Sequence, residues 1–148
     1  MKLYADSRFQ NLELAEAVLN GDGARALLVL NSTIQAINNP ESLLLSQLQA
    51  LDRLFTAVAA LKREPRSMSS YMDKEKFFAP FSIKSPKTMD AVIKAAYNMP
   101  EHLFNYLIDK FAHASALLCE HEVQRAILVI SEGCACVSNF NVKNLKAL

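Results

Sequence analysis

Tryptophan is absent from this chain and glycine nearly so, with three glycines among 148 residues. That scarcity excludes a glycine-rich phosphate loop. Neither G-x-x-x-x-G-K-[ST] nor G-x-G-x-x-G occurs, and "GDG" at 21–23 lacks the lysine and the preceding strand of a phosphate site. Long apolar runs are missing too. "ALLVL" and "AILVI" fall far short of the roughly 20 residues that cross a bilayer, so no membrane anchor is expected. The first ten residues, "MKLYADSRFQ", hold one lysine and no apolar segment, which reads as no secretory signal and makes the cytoplasm the expected location. Neither sign of charge dominates: a formal net charge of +1 gives no overall pull toward nucleic acid or membrane. Cys119, Cys134 and Cys136 are odd in number, and without a secretory signal they read as reduced thiols.

What is present is helix-forming sequence. About half the residues are apolar (51%) and a fifth charged (21%), enough for one domain that buries a core without disulfides or a structural metal. No segment alternates apolar with polar residues, so the expected class is all-α, a single-domain bundle of five to six helices over 1–148. The first helices fall at about 11–20 and 23–37. Asn39-Pro40 then opens a third, with Asn39 as cap and proline in the first turn. Along it Leu44, Leu48, Leu51, Phe55 and Val58 recur at spacings of four and three, a stripe on one face that marks a central helix.

Residues 63–85 lose this pattern and predict a long connection with at most a short helix near 73–78. Phe77, Phe78, Phe81 and Ile83 still require burial, so the segment should fold over the bundle. Ser85-Pro86 opens a further helix with Met89, Val92, Ile93 and Ala96 inward. After a corner at 98–100, the next helix presents Phe104, Leu107, Ile108, Phe111 and Leu118. The last aligns Val123, Ile127 and Ile130. Residues 134–148 form a weakly patterned tail that frays or docks through Phe140 and Val142.

Two of the three glycines, Gly21 and Gly23, flank Asp22 between two helix-forming stretches. Glycine inside a helix costs about 1 kcal/mol against alanine, so the pair marks a break. Gly21 can take the left-handed conformation after the first helix, and Asp22 can cap the second.

A search for reactive groups finds little. His102 and His113 lie three turns apart on one helix, about 16 Å, too far to share a metal. Cys119, Glu120, His121 and Glu122 are adjacent and do not converge on one point. Cys134 and Cys136 would point about 200° apart on a helix, which suits chelation poorly, and they read as small core residues. Carboxylates beside Cys119 would raise its thiol pKa rather than activate it. Asp52, Asp73 and Asp109 fit exposed helix positions. No catalytic residue, metal ligand or cofactor site is expected, and the chain reads as an interaction module rather than an enzyme. Between Lys62 and Lys94 eight Lys or Arg face four Asp or Glu, a local basic excess broken by acidic residues. It predicts weak or no nucleic-acid binding at physiological salt.

"LAEAVLNGDGARALLVL" resembles the start of the C-terminal collar domain of the δ subunit of bacterial DNA polymerase III, part of the sliding-clamp loader. Gly21, Asp22, Arg25, Ala26, Leu27 and Leu30 match its short helix, Gly-Asp corner and R-A-L-x-x-L helix. "LLLSQLQALDRLFTAVAALK" is similar to the long leucine-rich helix that follows there. "MPEHLFNYLIDKFAHASALLCE" is similar to the later helix with a mid-helix acidic residue, here Asp109. The resemblance covers about 9–133. The two AAA+-type domains that precede the collar in that family do not occur in this chain, which predicts an excised domain or a small protein that kept the collar fold. Its "CEHE" corner also lacks the basic or aromatic residues expected where a collar touches template DNA.

The resemblance implies assembly without chemistry. Collars pack into a closed ring of five, so the expected partners are other clamp-loader subunits, acting in DNA replication without a nucleotide site on this chain. The alternative is a stand-alone helical adaptor, chaperone or inhibitor that holds an unknown protein in a groove lined by Phe77, Phe78 and Phe81.

Overall fold

In the computed structural model, residues 12–147 are described except 37 and 67, and for 138–147 the backbone alone. Seven α-helices and one 3-10 turn make up this part of the chain, and no strand occurs among the described residues. They are α1 (12–19), α2 (Gly23–Ala36), α3 (Glu41–Arg63), α4 (Tyr71–Phe78), a 3-10 turn (Ala79–Phe81), α5 (Pro86–Asn98), α6 (Glu101–Cys119) and α7 (Val123–Ala147). The fold is all-α, as the periodicity predicts, with one helix more than expected. None of these helices is long and apolar enough to cross a membrane.

The long α3 organises the bundle. Leu44, Leu48, Leu51, Phe55 and Val58 are all buried, and Leu54, Ala57 and Leu61 widen the stripe to a second face. A fully buried leucine contributes about 1.5–3 kcal/mol, so this helix alone supplies a large share of the driving force. It packs against α5 and α6 and runs antiparallel to α6: Glu41 at its start meets His121 just beyond the end of α6, and Lys62 near its end lies 3.9 Å from Glu101 at the start of α6. Phe55 bridges the pair, edge-on to Phe104 at 5.5 Å and tilted on Phe111 at 6.2 Å. Glu41 in the first turn and Lys62 and Arg63 in the last complement the helix dipole. Proline starts this helix differently from expectation. Pro40 itself is the cap residue, and Asn39 Oδ1 accepts from the Glu41 N–H at a long 3.4 Å.

Helix α1 is buried from Leu14 to Leu19, including Glu16. A buried carboxylate needs partners. Thr88 Oγ1 donates to Glu16 at 2.7 Å and the Lys87 ammonium lies at 3.7 Å, fixing α1 against the first turns of α5. Ser85 caps α5 and Pro86 takes its first turn as expected, although the Ser85 side chain makes no capping bond.

The two ends of the chain share one construction. After α1, the Asp22 N–H donates to Ala17 O at 2.9 Å and the Gly21 N–H to Val18 O at 3.1 Å, closing the helix with Gly21 at φ 77°. After α6, the Glu122 N–H donates to Leu117 O at 2.8 Å and the His121 N–H to Leu118 O at 3.0 Å, with His121 at φ 62°. "RALLVL" at 25–30 and "RAILVI" at 125–130 follow the two corners in the same register. Ala26 and Ala126, Val29 and Val129, and Leu30 and Ile130 are buried in both, while Leu28 and Leu128 face solvent. The helices carrying these segments, α2 and α7, pack on each other.

Helix α7 continues past the point where its pattern weakens. Cys134 and Val137 extend the buried stripe of Ala126 and Ile130 at spacings of four and three, so the helix reaches Ala147. Its inward side is Ala126, Val129 and Ile130, with Val123 and Ile127 only partly covered, a rotation from the expected Val123–Ile127–Ile130 face. The same rotation occurs in α5, where Ala91 and Ala95 are buried with Met89 and Val92, while Ile93 and Ala96 are half-buried. Small residues hold those inner positions because neighbouring helices approach closely there. Docking through the Phe140 and Val142 side chains, the start of the first helix at 11 and residues 9–11 of the collar-like span lie outside the described residues.

Candidate functional site

The N-terminal corner is built by its expected residues. Gly21 supplies the left-handed step, and Asp22 Oδ1 accepts from the Arg25 N–H at 3.1 Å, capping α2. Arg25 reaches back to Glu13 at 3.9 Å in an exposed ion pair. Such a pair is worth roughly 0–1 kcal/mol. The three residues terminate one helix and start another.

The phenylalanine segment divides in two. Phe78 is fully buried and does not belong to a surface, which corrects its place in the expected groove. Helix α4 turns it into the core because Phe78 lies at the last helical residue, where the chain tightens into the 3-10 turn against α3. Phe77 and Phe81 stay half-buried and face a cleft of about 450 Å³ between the C-terminal end of α3 and the α4–3-10 segment. Ala60, Arg63 and Glu64 from α3 and its end form one side; Lys76, Phe77, Pro80 and Phe81 form the other, and Arg66 crosses the connection between them.

Local sequence explains this placement. Ser70 Oγ accepts from the Asp73 N–H at 3.1 Å and starts α4 after the irregular stretch, and Pro80 with Ser82 at φ 58° ends it. One bond ties the connection down, from the Tyr97 hydroxyl to Arg66 O at 3.0 Å, and beside it Lys62 Nζ donates to Met99 O at 2.8 Å, linking the end of α3 to the α5–α6 corner. Phe77 meets Phe78 edge-on at 4.9 Å and Phe81 at 5.6 Å, so the ring cluster is a rigid floor. The Arg66 guanidinium lies 5.6 Å over the Phe77 ring and 3.3 Å from Glu64. Arg63 and Lys76 have neither hydrogen-bond nor ion-pair partners among the described residues.

Hydrophobicity, not periodicity, points to the phenylalanines, and neither singles out the cations. The basic excess between Lys62 and Lys94 is visible in the sequence, yet only the docking of α4 on α3 brings Arg63, Arg66 and Lys76 beside the rings.

The remaining reactive groups stay apart. Among the described residues no three His, Cys, Asp or Glu side chains stand close enough to hold a metal ion. His121 Nδ1 lies 2.6 Å from Glu41 Oε1, a link between the α6–α7 corner and the start of α3. Cys119 is exposed beside another depression, between α3 and α6, lined also by Leu48, Phe55 and Phe111. Cys134 is buried, and desolvation pushes its thiol up to about 12 from an ordinary 9.0, far from the thiolate a nucleophile requires. Lys110, bonded to Glu132 at 3.1 Å, is held above its ordinary pKa by that hydrogen bond and clips α6 to α7.

The fold and its cleft define the class: an all-α bundle with a basic, aromatic depression at one end. No family model, curated protein or solved structure matches this chain.

Proposed function

We propose that this chain is a non-catalytic helical binding module that engages a partner protein through the cleft between α3 and α4. One observation carries the reading. Arg63 and Lys76, unpartnered among the described residues, flank a preformed aromatic floor in a concave site of about 450 Å³. Rigid aromatic surface next to arginine is the composition that dominates protein-binding hot spots. The adaptor, chaperone and inhibitor forms of this reading share that surface.

A clamp-loader collar is the narrower form. It rests on the Gly21–Asp22 corner and the R-A-L helix after it. Because "RAILVI" follows an equivalent corner at the other end of the chain, that motif describes a helical hairpin and favours no particular partner.

Site-specific photo-crosslinking tests the proposal. A benzophenone amino acid in place of Phe81 should give a discrete protein adduct in cells, and the same group in place of exposed Tyr106 on α6 should not. Adding Arg63→Glu should remove the adduct. Equal labelling from both positions, or none from either, defeats the reading. Co-elution with clamp-loader subunits on gel filtration, unaffected by Arg63→Glu, would favour the collar instead.

A further inference from the structure

We infer that the α3–α4 cleft takes an acidic, apolar peptide segment of the partner, with carboxylates set between Arg63 and Lys76 and a leucine or aromatic side chain on Phe77, Pro80 and Phe81. The inference rests on the binding-module reading and specifies its ligand.

The charges of the cleft divide by whether they are already satisfied. Arg66 is committed: Glu64 holds its guanidinium at 3.3 Å and Phe77 lies beneath it. Arg63 ends α3, where the negative end of the helix dipole stabilises its charge without occupying its donors. Lys76 stands near the end of α4, and although Asp73 precedes it by one turn, the two form no ion pair. Two cations without partners among the described residues therefore border one apolar floor from opposite walls. A carboxylate is the complement of that pair, and charge-assisted hydrogen bonds to it are among the stronger polar contacts available.

The apolar part limits the ligand further. Ala60, Pro80 and the outer parts of Phe77 and Phe81 offer aliphatic and ring-edge surface, and the volume admits a few side chains rather than a folded face. Nucleic acid fits less well. Glu64 and Asp73 stand among the three cations of the two adjoining depressions, so a run of phosphates would meet repulsion as well as attraction. Arg66 lies over the Phe77 ring, which also meets Phe78 at 4.9 Å and Phe81 at 5.6 Å, so that ring offers a base little open face to stack on.

A phage-displayed library of random peptides, selected on the intact protein, tests the inference. Enriched sequences should place Asp or Glu beside Leu or Phe. A selected peptide, followed by fluorescence anisotropy, should bind about tenfold or more weakly to the double variant Arg63→Glu, Lys76→Glu, and lose affinity as salt rises. The control Lys84→Glu, Lys94→Glu removes equal charge outside the cleft and should leave binding unchanged. Both pairs are exposed, so thermal melts by circular dichroism should show each variant folded. Enrichment without acidic bias, equal loss in the control, or displacement of the peptide by a thymidine oligonucleotide at equal concentration overturns the inference. If the library yields nothing while crosslinks still form from position 81, the ligand chemistry is wrong and the binding-module reading stands. If both fail, both fall.

Discussion

The corners at Gly21 and His121 make the same turn from different residues, and the contrast separates what the backbone demands from what the surroundings demand. Both close a helix with the same pair of backbone bonds and a residue in the left-handed region. Glycine enters that region without a steric penalty; histidine is a tolerated exception. His121 is also anchored by its bond to Glu41. The next residue differs in kind. Asp22 caps α2 with its side chain, whereas Glu122 makes no side-chain hydrogen bond among the described residues and serves α7 through its backbone carbonyl. Three turns into each hairpin the surroundings take over. Thr33 accepts from Gln47 Nε2 at 2.9 Å, but its counterpart Gly133 lies under the Phe111 ring, where an added Cβ would stand 2.9 Å from Cζ.

These differences can be broken in order of size. Leu30→Ala and Ile130→Ala remove equivalent, fully buried side chains, and each should cost about 2–5 kcal/mol in denaturant melts. A loss confined to one of them would show that the shared register does not mean shared load.

Gly133→Ala should cost about 1–3 kcal/mol by overpacking against Phe111. Thr33→Ala should cost a similar amount for another reason: it strips the acceptor from a buried amide. A neutral Gly133→Ala would mean that the Phe111 ring gives way, and the two helices would then differ little in what their surroundings demand.

The corner substitutions are smallest. Gly21→Val should cost roughly 1–2 kcal/mol from left-handed strain, and Asp22→Ala about 0.5–2 kcal/mol from the lost cap. Glu122→Ala should stay within about 0.5 kcal/mol, as expected of a surface change without a specific partner. Equal losses at Asp22 and Glu122, measured under the same conditions, would make the caps equivalent and remove the contrast.

Much of the fold was legible in the sequence because its punctuation is local. Prolines at 40, 86 and 100 and the glycine at 21 mark helix boundaries through their own backbone restrictions, and the α3 stripe follows from spacing alone. The inner faces of α5 and α7 were misjudged by a fraction of a turn. A count of large apolar residues overlooks Ala91, Ala95 and Gly133, which lie in the interior. Phe78 is buried as expected but leaves the groove, because hydrophobicity cannot tell which of three neighbouring rings points fully inward. The cations of the cleft belong to residues that only tertiary docking brings together. Glu16 gave no signal either, since its burial depends on Thr88, 72 residues later.

The packing of α2 on α7 sets a timetable for synthesis. Their matching segments stand about 100 residues apart, and a ribosome adding ~5–20 residues per second needs roughly 5–20 s to pass from one to the other. Through that interval the stripe of Ala26, Val29 and Leu30 has emerged without the helix that covers it. The first hairpin must therefore wait, folded locally but with its apolar side unsealed, until α7 arrives. Vectorial emergence thus makes the N-terminal hairpin the stage most exposed to wrong association. Completion of α7 ends that exposure.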